Sequence, residues 1–232
     1  MASFSTLGFD DTEELQSLLD EESKYEEKIN SALLAQSFAL FGTSADFQDK
    51  REFQSEVLSK FDASADELKE VLADAILAYA LLGLQYAGDL LSQLIPGFSI
   101  EDYKDEVQRW AVGRAALSFD LVQKTSRKRL EIALAAFVAD TLSLDALIKQ
   151  YNSVAADLER ASLINETESI NAFNMAIVIL ARAVGFVVAL KWVTSKDEKV
   201  CPVCRPRHGM VYPVNSAPSI PSHHGCRCFW AL

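Results

Sequence analysis

The residues of this 232-residue chain whose types and spacing suit chemistry are four cysteines and two of three histidines, all within residues 201–228, CPVCRPRHGMVYPVNSAPSIPSHHGCRC. Cys-x2-Cys followed by His-x2-Cys supplies four soft or borderline ligands to one tetrahedral zinc ion. That spacing puts forward Cys201, Cys204, His223 and Cys226 as ligands. Cys228 is a fifth candidate, because two-residue spacing lets it replace Cys226 or exchange for His223. The metal's role would be structural, since a segment of roughly 35 residues has too little apolar volume to fold alone. His208 reads as a turn residue and His224 as a surface hydrogen-bonding group. The plainer alternative is a set of free structural thiols or a disulfide.

Composition frames this cluster. A hydrophobic share of 50% is enough for the core of one large or two smaller domains. The start, MASFSTLGFDDTEE, has neither a basic beginning nor an apolar block, so no secretory signal is expected. Cysteines kept reduced in a cytoplasm favour zinc over disulfides. Neither long uncharged stretch, residues 75–88 or, around Arg182, 172–190, supplies the roughly 18 uninterrupted apolar residues of a membrane span. A soluble chain with no membrane partner is expected. Of the net charge of −11, residues 1–100 contribute 19 acidic and 6 basic side chains and the remainder 14 and 16. The first part should repel nucleic acid and suit a basic protein surface. Catalytic triads, phosphate-cradling glycine loops and dinucleotide fingerprints are absent, so neither an enzyme nor a small-molecule substrate or nucleotide cofactor is expected.

The elements that must position the cluster are mostly helical. Leu15, Leu18, Leu19, Ile29, Leu33, Leu34 and Phe38 recur at helical spacing over residues 11–41, with Gly42 as a stop. A second helix is expected over 46–60. Ser64 with Glu67 reads as a capping box for a helix running to the Pro96-Gly97 break, apolar all round in its middle and so central to a bundle. Ser99 with Asp102 starts a helix through Trp110 and Leu117, and another apolar helical pattern covers 130–138. Asn165 with Glu168 reads as a further capping box, opening a helix that Gly185 ends. Residues 186–194, FVVALKWVT, read as a strand feeding the Cys-x2-Cys knuckle. His208-Gly209 turns into a second short strand, and the loop 218–221 returns His223 and Cys226 to the metal. The expected fold is therefore mainly α: an N-terminal helical bundle followed by a small C-terminal α+β zinc-stapled hairpin module.

Residues 197–228, DEKVCPVCRPRHGMVYPVNSAPSIPSHHGCRC, resemble the C-terminal signature of the Mu F-like phage head morphogenesis family of minor head proteins. An Asp-rich lead-in, a Cys-Pro-x-Cys knuckle, a Gly turn and a terminal His-x-x-Cys-Arg-Cys recur there. ERASLINETESINAFNMA is similar to that family's helix with its Thr-Glu pair, here Thr167 and Glu168. The resemblance covers about residues 115–232. It divides the chain into an acidic helical region (1–114), the helical part of the Mu F-like domain (115–185) and a zinc-binding hairpin (186–232). The family's usual pattern has Asp where His208 stands, Arg where Asn165 and Glu166 stand, and Pro-Asn where His224 and Gly225 stand. These departures leave the ligand spacing intact, but no role for a helix arginine carries over.

The resemblance implies a non-enzymatic virion component of a tailed phage or prophage, assembled in the host cytoplasm. It would associate with the portal vertex or capsid interior and act in head assembly, DNA packaging or genome delivery. Portal or major capsid proteins would be its partners, with non-specific contact to packaged DNA. Some members of that family carry added toxin domains; with Leu232 four residues after Cys228, no fused enzyme is expected here.

Two other functions compete. His223-His224 beside a cysteine is similar to a ββα-metal nuclease site, which normally needs a helix after the histidine pair. Arg205, Arg207 and Arg227 around the metal, and Lys124, Arg127, Lys128 and Arg129 after the central helices, would suit a nucleic-acid-binding module with salt-dependent phosphate contacts. Arg182 is expected to extend from an apolar helix to solvent, and Trp192 and Trp230 to pack over the hairpin.

Overall fold

The computed structural model describes residues 13–41, 49–155, 158–194 and 201–232. The expected helix start at Asp11, the stop at Gly42, the second start at Asp46 and the lead-in before Cys201 lie outside them. The described elements are α1 (Glu13–Phe41), α2 (Lys50–Ala63), α3 (Asp66–Leu94), α4 (Glu101–Val138), α5 (Leu144–Ala155), α6 (Leu158–Val184), β1 (Ala189–Val193), β2 (Val211–Pro213) and β3 (Phe229–Ala231). The chain is thus mainly helical, with a small antiparallel sheet near its C-terminus.

Helix α1 buries Leu18, Tyr25, Ile29, Leu33 and Leu40, at the three- and four-residue spacing of one helical face. Helix α3 buries a broad face, including Leu72, Ile76, Tyr79, Ala80, Leu84 and Ala87, leaves Asp74, Gln85 and Asp89 exposed, and packs against α1, α4 and α6. The Lys50–Leu94 stretch holds a segment long and apolar enough, by length and composition only, to cross a membrane (mean hydropathy 1.5), and 56% of it is buried inside the fold. A few charges do not prevent an apolar average, so this segment serves as the central core helix. Gly83 explains how closely α3 and α6 approach: a Cβ there would lie 2.1 Å from the Phe173 carbonyl oxygen.

Among the described residues, three apolar clusters form the core. The largest joins α3, α4 and α6 to the sheet. A second, with Leu40, Phe53, Phe61, Leu134, Phe137 and Tyr151, closes the far end through α2, α4 and α5. A third, around Ile29, Leu33, Leu68 and Leu72, lies beside them.

Several expectations are corrected. Ser64 caps the C-terminus of α2, its Oγ donating to the Phe61 carbonyl, while α3 begins at Asp66 with no side-chain cap. Residues 101–138 form one continuous helix, α4, so the basic group from Lys124 to Arg129 lies within it rather than after it. Residues 114 and 115 also lie inside that helix. Ser99 does act near its start, accepting from the Glu101 amide at 3.2 Å.

Asn165 and Glu168 do not open a helix, because α6 already runs from Leu158. Asn165 is fully buried mid-helix, accepting from Tyr79 Oη at 2.5 Å and donating to the Glu22 carbonyl at 2.7 Å. Glu168 receives both arms of Arg114 from α4, each at 2.7 Å. Ser169 donates to the buried Glu22 carboxylate. Burial raises the pKa of Glu22, opposed by that hydrogen bond, and burial likewise raises Tyr79. These polar pairs satisfy groups whose burial alone would cost about 1–3 kcal/mol each.

The expected hairpin is instead a three-stranded sheet in the order β2-β1-β3, with Leu190 opposite Tyr212 and Trp192 opposite Trp230. Strand β3 lies beside β1 at the sheet edge: Trp192 and Trp230 are buried with ring centroids 5.2 Å apart, and Tyr212 lies 5.6 Å from Trp230. Both tryptophans therefore pack within the sheet, as their position predicts. Gly185 follows α6 with a φ of +73°, the left-handed conformation suited to ending a helix. Arg182 is exposed, its guanidinium 3.4 Å from the Val214 carbonyl.

Candidate metal centre

The knuckle forms because the Cys201 carbonyl accepts from the amides of Cys204 (3.2 Å) and Arg205 (3.0 Å). A short 3-10 turn, Arg205–Arg207, and Gly209, with φ of +78°, then lead into β2. The opposite side comes from the segment before β3, where the Cys226 amide donates to the His223 carbonyl at 3.3 Å. Two separate turns thus face each other, each anchored to the sheet by the strand beside it.

All five sequence-predicted residues meet here. Cys201 Sγ lies 3.0 Å and Cys204 Sγ 3.2 Å from His223 Nε2, and Cys204 Sγ lies 3.9 Å from Cys226 Sγ. Cys201, Cys204 and His223 form one group with ligand atoms within 4.8 Å of one another, and Cys204, Cys226 and Cys228 form another. Cys204 is common to both. Two sulfurs on a tetrahedral zinc with bonds of about 2.3 Å stand about 3.8 Å apart, so the Cys204–Cys226 separation fits such an ion. The donor set of thiols and imidazole fits it chemically as well.

The histidine is held in the tautomer that ligation requires. His223 Nδ1 lies 2.7 Å from the His224 carbonyl, which can only accept, so Nδ1 carries the proton and Nε2 presents its lone pair to the sulfurs. That carbonyl raises the His223 pKa against the opposing effect of burial. A hydrogen bond from Cys228 lowers Cys226 to about 5, despite burial, and the same bond together with burial raises Cys228. Burial pushes Cys204 up. For Cys201 burial also acts upward, but hydrogen bonds from Cys204 and the Val203 backbone outweigh it, and the net shift is downward. Mixed thiolate and thiol character in one small site is the electrostatic setting in which a divalent cation relieves sulfur-sulfur repulsion.

The other histidines stand apart. His208 Nδ1 accepts from the Thr194 amide at 3.2 Å, pinning the turn between β1 and β2. His224 contributes its carbonyl and exposes its side chain. After the histidine pair the chain forms strand β3, where a ββα-metal nuclease would place a helix. Arg207 lies over the Trp192 ring at 5.1 Å, Arg227 is 4.0 Å from Glu166, and Arg127 pairs with Asp62 and Glu131. Lys124, Lys128 and Arg129 are exposed on α4.

Sequence reasoning missed Asn174 of α6. Its Oδ1 accepts from the Trp230 amide at 2.8 Å, and its Nδ2 donates to the carbonyls of Ile170 at 2.7 Å and Cys228 at 3.2 Å. The NAFNMA stretch containing it reads in the sequence only as part of a motif, since no local pattern shows that an asparagine 54 residues upstream reaches Cys228.

No curated protein and no solved structure matches the chain. Residues 128–231 match the family model described as Phage Mu protein F like protein, an interval that takes in the C-terminal part of α4, helices α5 and α6, the sheet and all five candidate ligands. The resemblance read from the knuckle and the helix is therefore upheld: residues 128–231 of this chain are similar to the Mu F-like family.

Proposed function

We propose that this protein is a phage head morphogenesis protein, a minor head component of a tailed phage or prophage held in shape by a structural zinc ion. The observation that carries the reading is the coincidence of the Mu F-like match with a Cys/His centre built into the sheet that the match covers. The protein would act at the portal vertex or capsid interior, in head assembly, packaging or genome delivery, by presenting surfaces rather than by catalysis. Residues 1–114, with their acidic excess, would meet a basic surface of a portal or capsid subunit, and residues 115–232 would supply the rigid part. Zinc would take Cys201, Cys204, His223 and Cys226, leaving Cys228 as the hydrogen-bond partner of the Cys226 sulfur. When bound it would supply cross-linking between the knuckle and the segment before β3, and no reaction chemistry.

The engagement of Arg207 by Trp192 and the nearness of Arg227 to Glu166 favour a protein-docking role over phosphate binding by the same module. Locating the chain in a reconstruction of intact particles without imposed symmetry tests the assignment. Density at the portal vertex or inner capsid wall is expected, and absence of the protein from purified particles would refute it. For the metal, elemental analysis of reduced protein is expected to find one zinc per chain. Chelation should lower the melting temperature on the order of 10 °C, and a metal-free protein with an unchanged melting curve would overturn the zinc assignment.

A further inference from the structure

We propose that Asn174 is a positioning residue for the metal centre, through which helix α6 fixes the backbone carrying Cys226 and Cys228. The inference rests on the metal reading above and extends it to a residue outside the ligand set. In the three-stranded sheet, β1 occupies the middle and β3 forms an edge, so one side of β3 faces α6 without a neighbouring strand. The Asn174 amide takes the place of that strand. Its oxygen accepts from the Trp230 amide and its nitrogen donates to the Cys228 carbonyl, a donor-acceptor pair matching what a further strand would offer.

The side chain is itself anchored. Asn174 is 1% exposed, and its Nδ2 also bonds the Ile170 carbonyl one turn back on α6, which fixes the direction of the amide plane. The flanking residues of α6, Ile170, Phe173 and Ile177, are buried in the cluster that also contains Cys204, Cys226, Cys228 and Trp230. The helix therefore sets where Cys228 and Trp230 sit, and the Cys226 sulfur is two residues from that fixed point. Ligand positions held by neighbouring hydrogen bonds keep a metal, and losing such support typically costs about 10–100-fold in affinity. Asn174→Leu preserves volume and removes both contacts. Asn174→Asp keeps the acceptor for Trp230 and removes the donor for Cys228.

The test measures the rate at which a chromogenic chelator withdraws zinc from the folded, zinc-loaded protein well below its melting temperature. Phe53→Leu, in the apolar cluster at the far end of the bundle, serves as a control that lowers stability without touching α6 or β3. Release about 10-fold faster in N174L, intermediate acceleration in N174D and wild-type release in F53L are expected. Release at the wild-type rate in loaded N174D or N174L, with stability lowered as in F53L, would reduce Asn174 to a packing role and sink the proposal. A readout needing no variant is the exchange of the Trp230 amide proton: coupling is reciprocal, so removing zinc should speed that exchange. Equal exchange with and without zinc overturns the proposal while leaving the metal site standing. A wild-type protein that takes up no zinc defeats the metal reading itself.

Discussion

Two helical glycines offer a direct test of how this bundle is packed, because the same substitution should move stability in opposite directions at the two sites. Gly83 lies on α3, where an added Cβ would meet the Phe173 carbonyl oxygen at 2.1 Å, the Phe173 carbonyl carbon at 2.8 Å and its Cα at 2.9 Å. All three atoms are backbone, so no rotamer change relieves the overlap. Restoring an ordinary contact of about 3.4 Å requires α6 to move by more than 1 Å from α3, opening the largest apolar cluster. Overpacking of this kind costs about 1–3 kcal/mol, and a rigid helix backbone puts Gly83→Ala near the upper end. Against this stands the helix-propensity gain of Ala over Gly, about 0.5–1 kcal/mol. The clash wins, leaving a net loss of about 2 kcal/mol. Gly113 lies on the exposed side of α4, where a Cβ would find nothing within 4 Å, so Gly113→Ala keeps only the propensity gain. For a chain of this size 1 kcal/mol corresponds to about 2–4 °C. G83A should melt about 4–8 °C below the wild type and G113A about 1–4 °C above it, followed by circular dichroism in heat and in urea. A G83A protein as stable as the parent would show that α3 and α6 are not in the close contact described.

Other expectations concern polar groups. Removing Arg114 strands a Glu168 carboxylate whose side chain is only 8% exposed. Arg114→Ala should therefore cost about 2–3 kcal/mol, below the full penalty for a wholly buried pair because the guanidinium reaches solvent. R114A combined with Glu168→Gln should cost less than the two single changes added together, a coupling that urea denaturation of all four proteins will measure. Glu22 tests the pH dependence. Its pKa is raised above 4.5 by burial, so the folded state holds the proton more tightly than the unfolded chain. Its stabilising contribution is complete below pH 4.5 and is lost as pH rises through the folded value. Glu22→Gln, which retains an acceptor for Ser169, should thus raise the melting temperature more at pH 7.5 than at pH 4.5, and an equal shift at both would contradict the assignment.

The parts of this architecture legible in the sequence are those set by short-range periodicity and by the chemistry of the ligands. The apolar spacing of Leu18, Ile29 and Leu33 in α1 and the apolar middle of α3 report burial, although Phe38 on the same pattern is 68% exposed, and the cysteine spacing brings the candidate ligands together as expected. The misreadings share a cause. Asn165 and Glu168 have the local spacing of a capping box, yet their partners Tyr79 and Arg114 are 86 and 54 residues away. Distant partners leave no mark on a local pattern. Ser64 likewise sits where two helices nearly abut, and its hydroxyl serves the one that ends there. Strand β3 is only three residues long, too short for alternation to show, and it exists because Trp230 finds Trp192 and Asn174.

The position of these errors along α6 has a physical meaning. Within one helix, Asn165 and Ser169 reach α1 and α3, Glu168 reaches α4, Glu166 points toward Arg227, and Asn174 holds β3. An element needed only for packing would be apolar on its buried faces, because replacing paired polar groups by apolar ones of the same shape is often close to neutral. Polar residues at these positions add what apolar packing supplies poorly, a fixed rotation and register of each neighbour relative to the helix. For a protein proposed to work by presenting surfaces, that fixity would be the functional property: a docking face is useful only if the sheet with its Cys/His centre and the acidic helices keep a constant relation. Substitutions along this side of α6 should therefore disturb assembly out of proportion to the stability they remove, whereas changes such as G113A should alter stability and leave assembly intact.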